Sequence, residues 1–299
     1  MYLIRLLRNI FRLSNIGTLI FFLLNASLII GVFSEGDPEM MKVIAVVYLI
    51  SVAIALSPFG EGILGLMAGA RRMTRADMRA RVLPLITRVH NSALAEMPGM
   101  TRIINLKVMY DPAPNAFALG RHTICVTEGL LHLSDDQIEG ILAHEMGHLA
   151  LHHTDIQLWI GGGNFIITFF MLIMRIISAV ALTVGSIFSL SGRRSDDSPT
   201  VFQGCGCGLT IIGALSYAFV WLWTKFCMLF LMWSSRANEY RADKFAADIG
   251  YGYGLASALD SIASAIPQND FIRALYSSHP ETHDRIGRLQ ELGVPYRTY

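Results

Sequence analysis

Four long stretches of this 299-residue chain are almost free of charge, and they constrain its fold more than any other feature. Residues 13–34 carry no charged side chain. At about 1.5 Å per helical residue they are long enough to cross a hydrocarbon core of roughly 30 Å. Residues 43–60 are also uncharged, and 62–70 extend that run beyond Glu61, which the pattern places near a membrane interface. Residues 156–192 are apolar apart from Arg175, and 200–235 apart from Lys225; both cations are expected to snorkel or to pair inside a bundle. Arg5, Arg8 and Arg12 lend the start of the chain the look of a secretory signal. The apolar run after them is too long for that and lacks a small-x-small cleavage site, so it reads as a retained span.

Composition agrees. Hydrophobic residues make up 53% of the chain and charged residues 16%, against about 25% charged in an ordinary globular protein. Disorder is excluded, because disordered chains combine low hydrophobicity with high net charge. Lys+Arg 24 against Asp+Glu 23 leaves +1, so there is no global positive field to hold nucleic acid. Four cysteines cannot form a disulfide scaffold in a chain this long. Cys205 and Cys207, flanked by glycines, read as tight helix packing, and Cys125 and Cys227 as small core or lipid-facing residues.

Lys and Arg near span ends set orientation. Arg71, Arg72, Arg75, Arg79 and Arg81 follow the second span, whereas the preceding loop holds only Lys42. Both termini and the segment from Arg71 to Asp155 are therefore expected in the cytoplasm; Arg193 and Arg194, in the polar loop 191–200, weaken that signal without reversing it. The organisation expected is a membrane hairpin over 1–70 (spans 13–34 and 43–70), a first cytoplasmic part over 71–155, a second membrane hairpin over 156–235 and a second cytoplasmic part over 236–299. Leu106 to Tyr110, 116–119 and 123–127 read as short strands of a small antiparallel sheet.

Ser134 and Gln137 form a capping box with Asp135 and Asp136 in the first turn, so a helix starts at about Asp135. It carries His144-Glu145-Met146-Gly147-His148. Residues at i and i+4 share a helix face, so both imidazoles can reach one Zn²⁺. Glu145 would then stand beside the open position, able to take a proton from a polarised water and pass it to a leaving amine. The longer metzincin pattern is excluded by Leu151 and Thr154, and His152 and His153 read as interfacial residues or as supports behind a ligand. A third ligand must come from elsewhere. Glu239 and Asp243, i and i+4 in RANEYRAD, offer one carboxylate for the metal and one to orient an imidazole. Two crossings separate His144 from Glu239, and only an even number lets them share an ion.

HEMGH, SRANEYRAD and the four-span layout together resemble the membrane gluzincins of the bacterial HtpX type, distant relatives of the CAAX prenyl proteases. Asn115-Ala116-Phe117-Ala118 is similar to that family's N-A-F-A segment, and Ser278-His279-Pro280 with Arg285 to its late motif. The resemblance implies an α-helical membrane protein carrying an α+β zincin-like catalytic domain. It implies one Zn²⁺ per chain on His144, His148 and Glu239, with Glu145 as base and Asp243 orienting a ligand. It further implies His279 at the oxyanion, Arg285 supporting the site, and Asn115, Ala116, Phe117 and Ala118 as an edge strand that pairs with extended polypeptide. A multi-pass protein of the bacterial inner membrane, facing the cytoplasm and cleaving damaged membrane proteins, is what it leads one to expect. An intramembrane protease would carry the motif within an apolar span, which Asp135, Asp136 and Glu139 argue against. A non-catalytic scaffold would have no use for Glu145, Glu239 and His279 together.

Overall fold

The computed structural model describes residues 8–34, 36–156, 235–265 and 282–297, with isolated positions among 158–159, 173–183 and 218–223. Most of the third and fourth apolar stretches lies outside the described residues, as do Arg175, Lys225, Cys205, Cys207, Cys227 and the loop 191–200. Helix α1 (Ile16–Ser34) packs against α2 (Pro38–Ala55). Among the described residues α2 alone is long and apolar enough to cross a membrane; Ile16–Gly31 forms a shorter apolar helix.

The expected second span, 43–70, is broken. Helix α2 ends at Ala55 and α3 (Pro58–Met67) begins three residues later, because Pro58 has no N–H to continue the ladder and holds Ser57 in an extended conformation (φ −83°, ψ 165°). Glu61 docks α3 onto the sheet where β3 turns into β4. It accepts hydrogen bonds from Thr123 Oγ1 at 2.6 Å and from the Arg121 N–H at 3.1 Å.

The sheet has strands β1 (Arg71–Arg72), β2 (Asn105–Met109), β3 (Ala116–Leu119) and β4 (Thr123–Thr127) in the order β1-β2-β4-β3. It is mixed, not antiparallel: β2 and β4 run parallel, while β1 pairs with β2 and β3 with β4 in antiparallel fashion. The reason lies in β4. Every residue of its TICVT run is buried, so it must be covered on both faces and flanked on both sides. The hairpin places β3 on one side of it, and β2 fills the other, running parallel. Val108, Ala118, Ile124 and Val126 face the main core, and Cys125 and Leu119 face Leu64 of α3.

Helices α4 (Ala76–Glu96) and α5 (Asp135–Ala150) enclose that core together with α6 (235–248) and α7 (Gly252–Ala265). The capping box starts α5: Ser134 Oγ accepts from the Gln137 N–H, and Gln137 Oε1 from the Ser134 N–H. Helix α8 (Thr282–Glu291) lies on α7 and is tied to α6 by the Arg288 guanidinium, 3.6 Å above the Tyr240 ring.

Helices α5 and α7 cross where neither has a side chain. A Cβ on Gly140 would come within 2.1 Å of the Leu255 nitrogen, and one on Gly254 within 2.0 Å of the Asp136 oxygen. Because those obstacles are backbone atoms, Gly140→Ala should destabilise the fold by about 1–3 kcal/mol or more, read as a lowered unfolding midpoint in detergent.

Candidate metal centre

Helix α5 presents His144 and His148 one turn apart, and α6 brings Glu239 to the same face. Gly147, between the two histidines, allows that approach: a Cβ there would lie 3.1 Å from Ala242 Cα and 3.2 Å from Phe245 Cβ. The three donor atoms lie within 4.8 Å of one another. His144 Nε2 is 3.1 Å from His148 Nε2, and each of these nitrogens is 3.4 Å from a Glu239 oxygen. Ligands about 2.0–2.1 Å from a tetrahedral ion stand about 3.3–3.4 Å apart, so the triangle fits one metal ion with a fourth position left over. Charge gives the same answer. Among the described residues, Glu145, Glu239 and Asp243 are buried with one guanidinium, that of Arg285, among them, which leaves two negative charges for a divalent cation to balance.

Each histidine is held from behind. His144 Nδ1–H donates to Asp243 Oδ1 at 2.8 Å, so the Arg285 nitrogen 3.2 Å from the same atom is a neighbour and not its donor. Arg285 instead donates to both oxygens of Asp243, at 2.6 and 2.8 Å, and approaches Glu239 to 3.7 Å. Burial would raise the Asp243 carboxyl, but the guanidinium and His144 hold it down at about 2. His148 uses Nδ1 to reach His153 Nδ1 at 3.0 Å. With His148 Nε2 turned to the metal position, His148 must be the donor in that bond, which leaves the proton of His153 on Nε2. His153 is neutral: burial, and then the charges of His148 and Arg241, lower its pKa well below the ordinary value.

His153 is the support the motif did not single out from its neighbour. His152, beside it, turns away with φ 58° and pairs with Asp155 at 2.8 Å. His279 lies outside the described residues.

Glu145 projects towards the sheet, where its Oε2 accepts from the Ala118 N–H at 2.8 Å. Strand β3 is an edge. Its register and the Thr127 N–H to Asn115 C=O bond turn the backbone groups of Asn115 and Phe117 towards β4. Those of Ala116 and Ala118 therefore face outward, beside the candidate site.

A buried His-His-Glu donor set, with a glutamate joining it to an open strand edge, defines a candidate metallopeptidase centre. The model of Peptidase family M48 matches residues 75–293, which contain every described part of this site, and the chain belongs to that family. It is 30% identical over 257 residues to a "Protease HtpX homolog" of Tropheryma whipplei (strain TW08/27), covering 76% of this chain and 77% of that protein. A Dictyoglomus thermophilum protein of the same name is 30% identical over 213 residues, 64% of each chain. The fold is similar to that in "Crystal Structure of S. mikatae Ste24p", with a TM-score of 0.50, 18% identity, and coverage of 96% of this chain and 65% of that longer one.

Burial and the Arg285 charge push the His144 pKa down, yet hydrogen bonds to Asp243 and Glu239 outweigh them and raise it to about 10. Without metal, the site thus holds a proton on His144 at neutral pH, and an ion must displace it. Titration calorimetry in buffers of different ionisation enthalpy should show about one proton released per ion near neutral pH, falling towards zero as the pH rises through 10.

Proposed function

We propose that this chain is a membrane-embedded zinc endopeptidase that cleaves extended segments of misfolded or damaged membrane proteins at the cytoplasmic face. The observation that carries the reading is the meeting of the His144, His148 and Glu239 donors with Glu145, whose carboxylate touches the outward edge of β3. Two imidazoles and one carboxylate, with a position to spare, are a donor set suited to catalytic Zn²⁺. Bound there, the ion supplies Lewis acidity towards a water and a peptide carbonyl. Glu145 takes the proton of the attacking water and delivers it to the departing amine. Asp243 keeps His144 in the tautomer whose Nε2 is free to bind, and His153 does the same for His148. Arg285 acts through Asp243 and Glu239 as a positioning residue, and the family resemblance assigns His279 to the developing oxyanion.

Substrate adds as a strand beside β3, held by the backbone of Ala116 and Ala118. Affinity then rests on main-chain hydrogen bonds, which suits a protease that must accept many sequences. The apolar helix α2, the uncharged stretches around it and the arginines after α3 support a cytoplasmic site at a membrane.

Glu145→Gln should retain stoichiometric zinc and lose cleavage of an unfolded membrane substrate, by roughly two to four orders of magnitude. Glu239→Ala should instead lose the metal. Turnover by the first variant, or full zinc occupancy in the second, would remove these assignments. A period-two pattern is expected in the substrate: N-methylation at alternate residues facing Ala116 and Ala118 should raise KM about 2–10-fold per bond lost, and methylation between them should not.

A further inference from the structure

Four side chains behind the candidate metal centre close a buried hydrogen-bonded ring. Asn9 Nδ2 donates to the Leu151 C=O at 2.6 Å, Asn15 Nδ2 to the Asn9 C=O at 2.9 Å, and Asn238 Nδ2 to Asn15 Oδ1 at 2.9 Å. Arg241 completes it by donating to Asn9 Oδ1 at 3.3 Å and to Asn238 Oδ1 at 3.4 Å. The three asparagines are at most 8% exposed. Asn9 and Asn15 come from the segment ahead of α1, and Asn238 and Arg241 from α6. The ring meets the ligand helices at two places. Leu151 is the C-cap of α5, one turn beyond His148, and its held carbonyl fixes the start of the turn that follows. His152 takes the left-handed conformation there (φ 58°), with Asp155 2.8 Å from its ring, and this turn brings His153 to within 3.0 Å of His148 Nδ1. Asn238 is the residue before Glu239.

The direct contact of α5 with α6 is smooth where the ligands lie, because Gly147 has no side chain to interlock with Ala242 and Phe245. Metal ligation tolerates displacements of only about 0.2 Å. The directional bonds of the ring supply the register that the packing lacks. We infer that Asn9 and Asn15 are positioning residues for the metal ligands. They hold the end of α5, and with it His148, at one spacing from Glu239 on α6. Zinc affinity therefore depends on the segment ahead of α1 being docked. The linkage is reciprocal: a bound ion must tighten the docking of residues 8–15 by the same factor. This coupling rests on the proposed zinc site and is independent of where in the cell the chain lies.

The test uses the full-length chain carrying Glu145→Gln, purified in a neutral detergent, with Zn²⁺ and Co²⁺ as probes. Asn9→Ala and Asn15→Ala should each weaken zinc binding about 10–100-fold, and the visible absorption of bound Co²⁺ should change with the ligand geometry. Either variant also loses packing, so Asn15→Leu combined with Asn238→Leu serves as the second probe, keeping the volume and removing the polar pair. Metal-free, it should unfold close to the parent, yet bind zinc about tenfold or more weakly. Glu61→Gln cuts the other tie between the N-terminal hairpin and the site, so it should lower the unfolding midpoint and leave zinc affinity unchanged. Hydrogen exchange reads the reciprocal effect: zinc should slow exchange in residues 8–15 of the parent and not in Asn15→Ala. Unchanged zinc affinity in all the asparagine variants, an equal loss in Glu61→Gln, or no zinc-dependent protection of residues 8–15 would overturn the inference. A parent that binds no zinc would instead sink the metal site itself, an outcome distinct from variants that bind it as tightly as the parent does.

Discussion

Negative charge buried between α5, α6 and α8 is what the rest of this structure is arranged around. Three carboxylates in a core with one guanidinium cannot stand without a further cation. The fold answers with two imidazoles aimed at the same point and with hydrogen bonds to the carboxylates. Asp243 takes two bonds from Arg285 and one from His144, and Glu145 takes the Ala118 N–H. Helix α8 matters because it carries Arg285, and α6 because Gly147 lets Glu239 come close enough. A site so constrained has little freedom to deform, which suits chemistry that depends on fixed geometry.

Two connections tie this centre to the apolar N-terminal hairpin. Glu61 of α3 grips the turn between β3 and β4, so the outward edge of β3 is referenced to the segment that follows α2. On the other side, Asn9 donates to the Leu151 carbonyl just past α5, and Asn238 of α6 donates to Asn15. Arg241 reaches Asn9 as well. Buried amide networks of this kind specify one docking geometry, because a misplaced partner leaves polar groups unsatisfied. Position relative to the hairpin is thereby transmitted to both walls of the candidate site.

Local signals were legible in the sequence where the chemistry is local. The capping box at Ser134, the i, i+4 histidines and the strand over 123–127 each appear as read. The i, i+4 pair Glu239 and Asp243 told where carboxylates would lie. Features set by neighbours distant in sequence were not legible. The parallel pairing of β2 with β4 depends on which strand needs cover on both sides. The role of Glu61 depends on a turn 60 residues away, and His153 is distinguished from His152 only by which of them faces His148.

Sequence alone thus determined the apolar segments, the helix that carries the paired histidines and the residue types available for metal and proton chemistry, because periodicity and capping act over a few residues. Only the tertiary structure decided which carboxylate joins the two histidines and which backs one of them, and which backbone groups of β3 face outward. Those outcomes follow from burial and charge balance across α5, α6, α8 and the sheet, where the identity of a partner depends on how the chain is packed and not on its spacing along it.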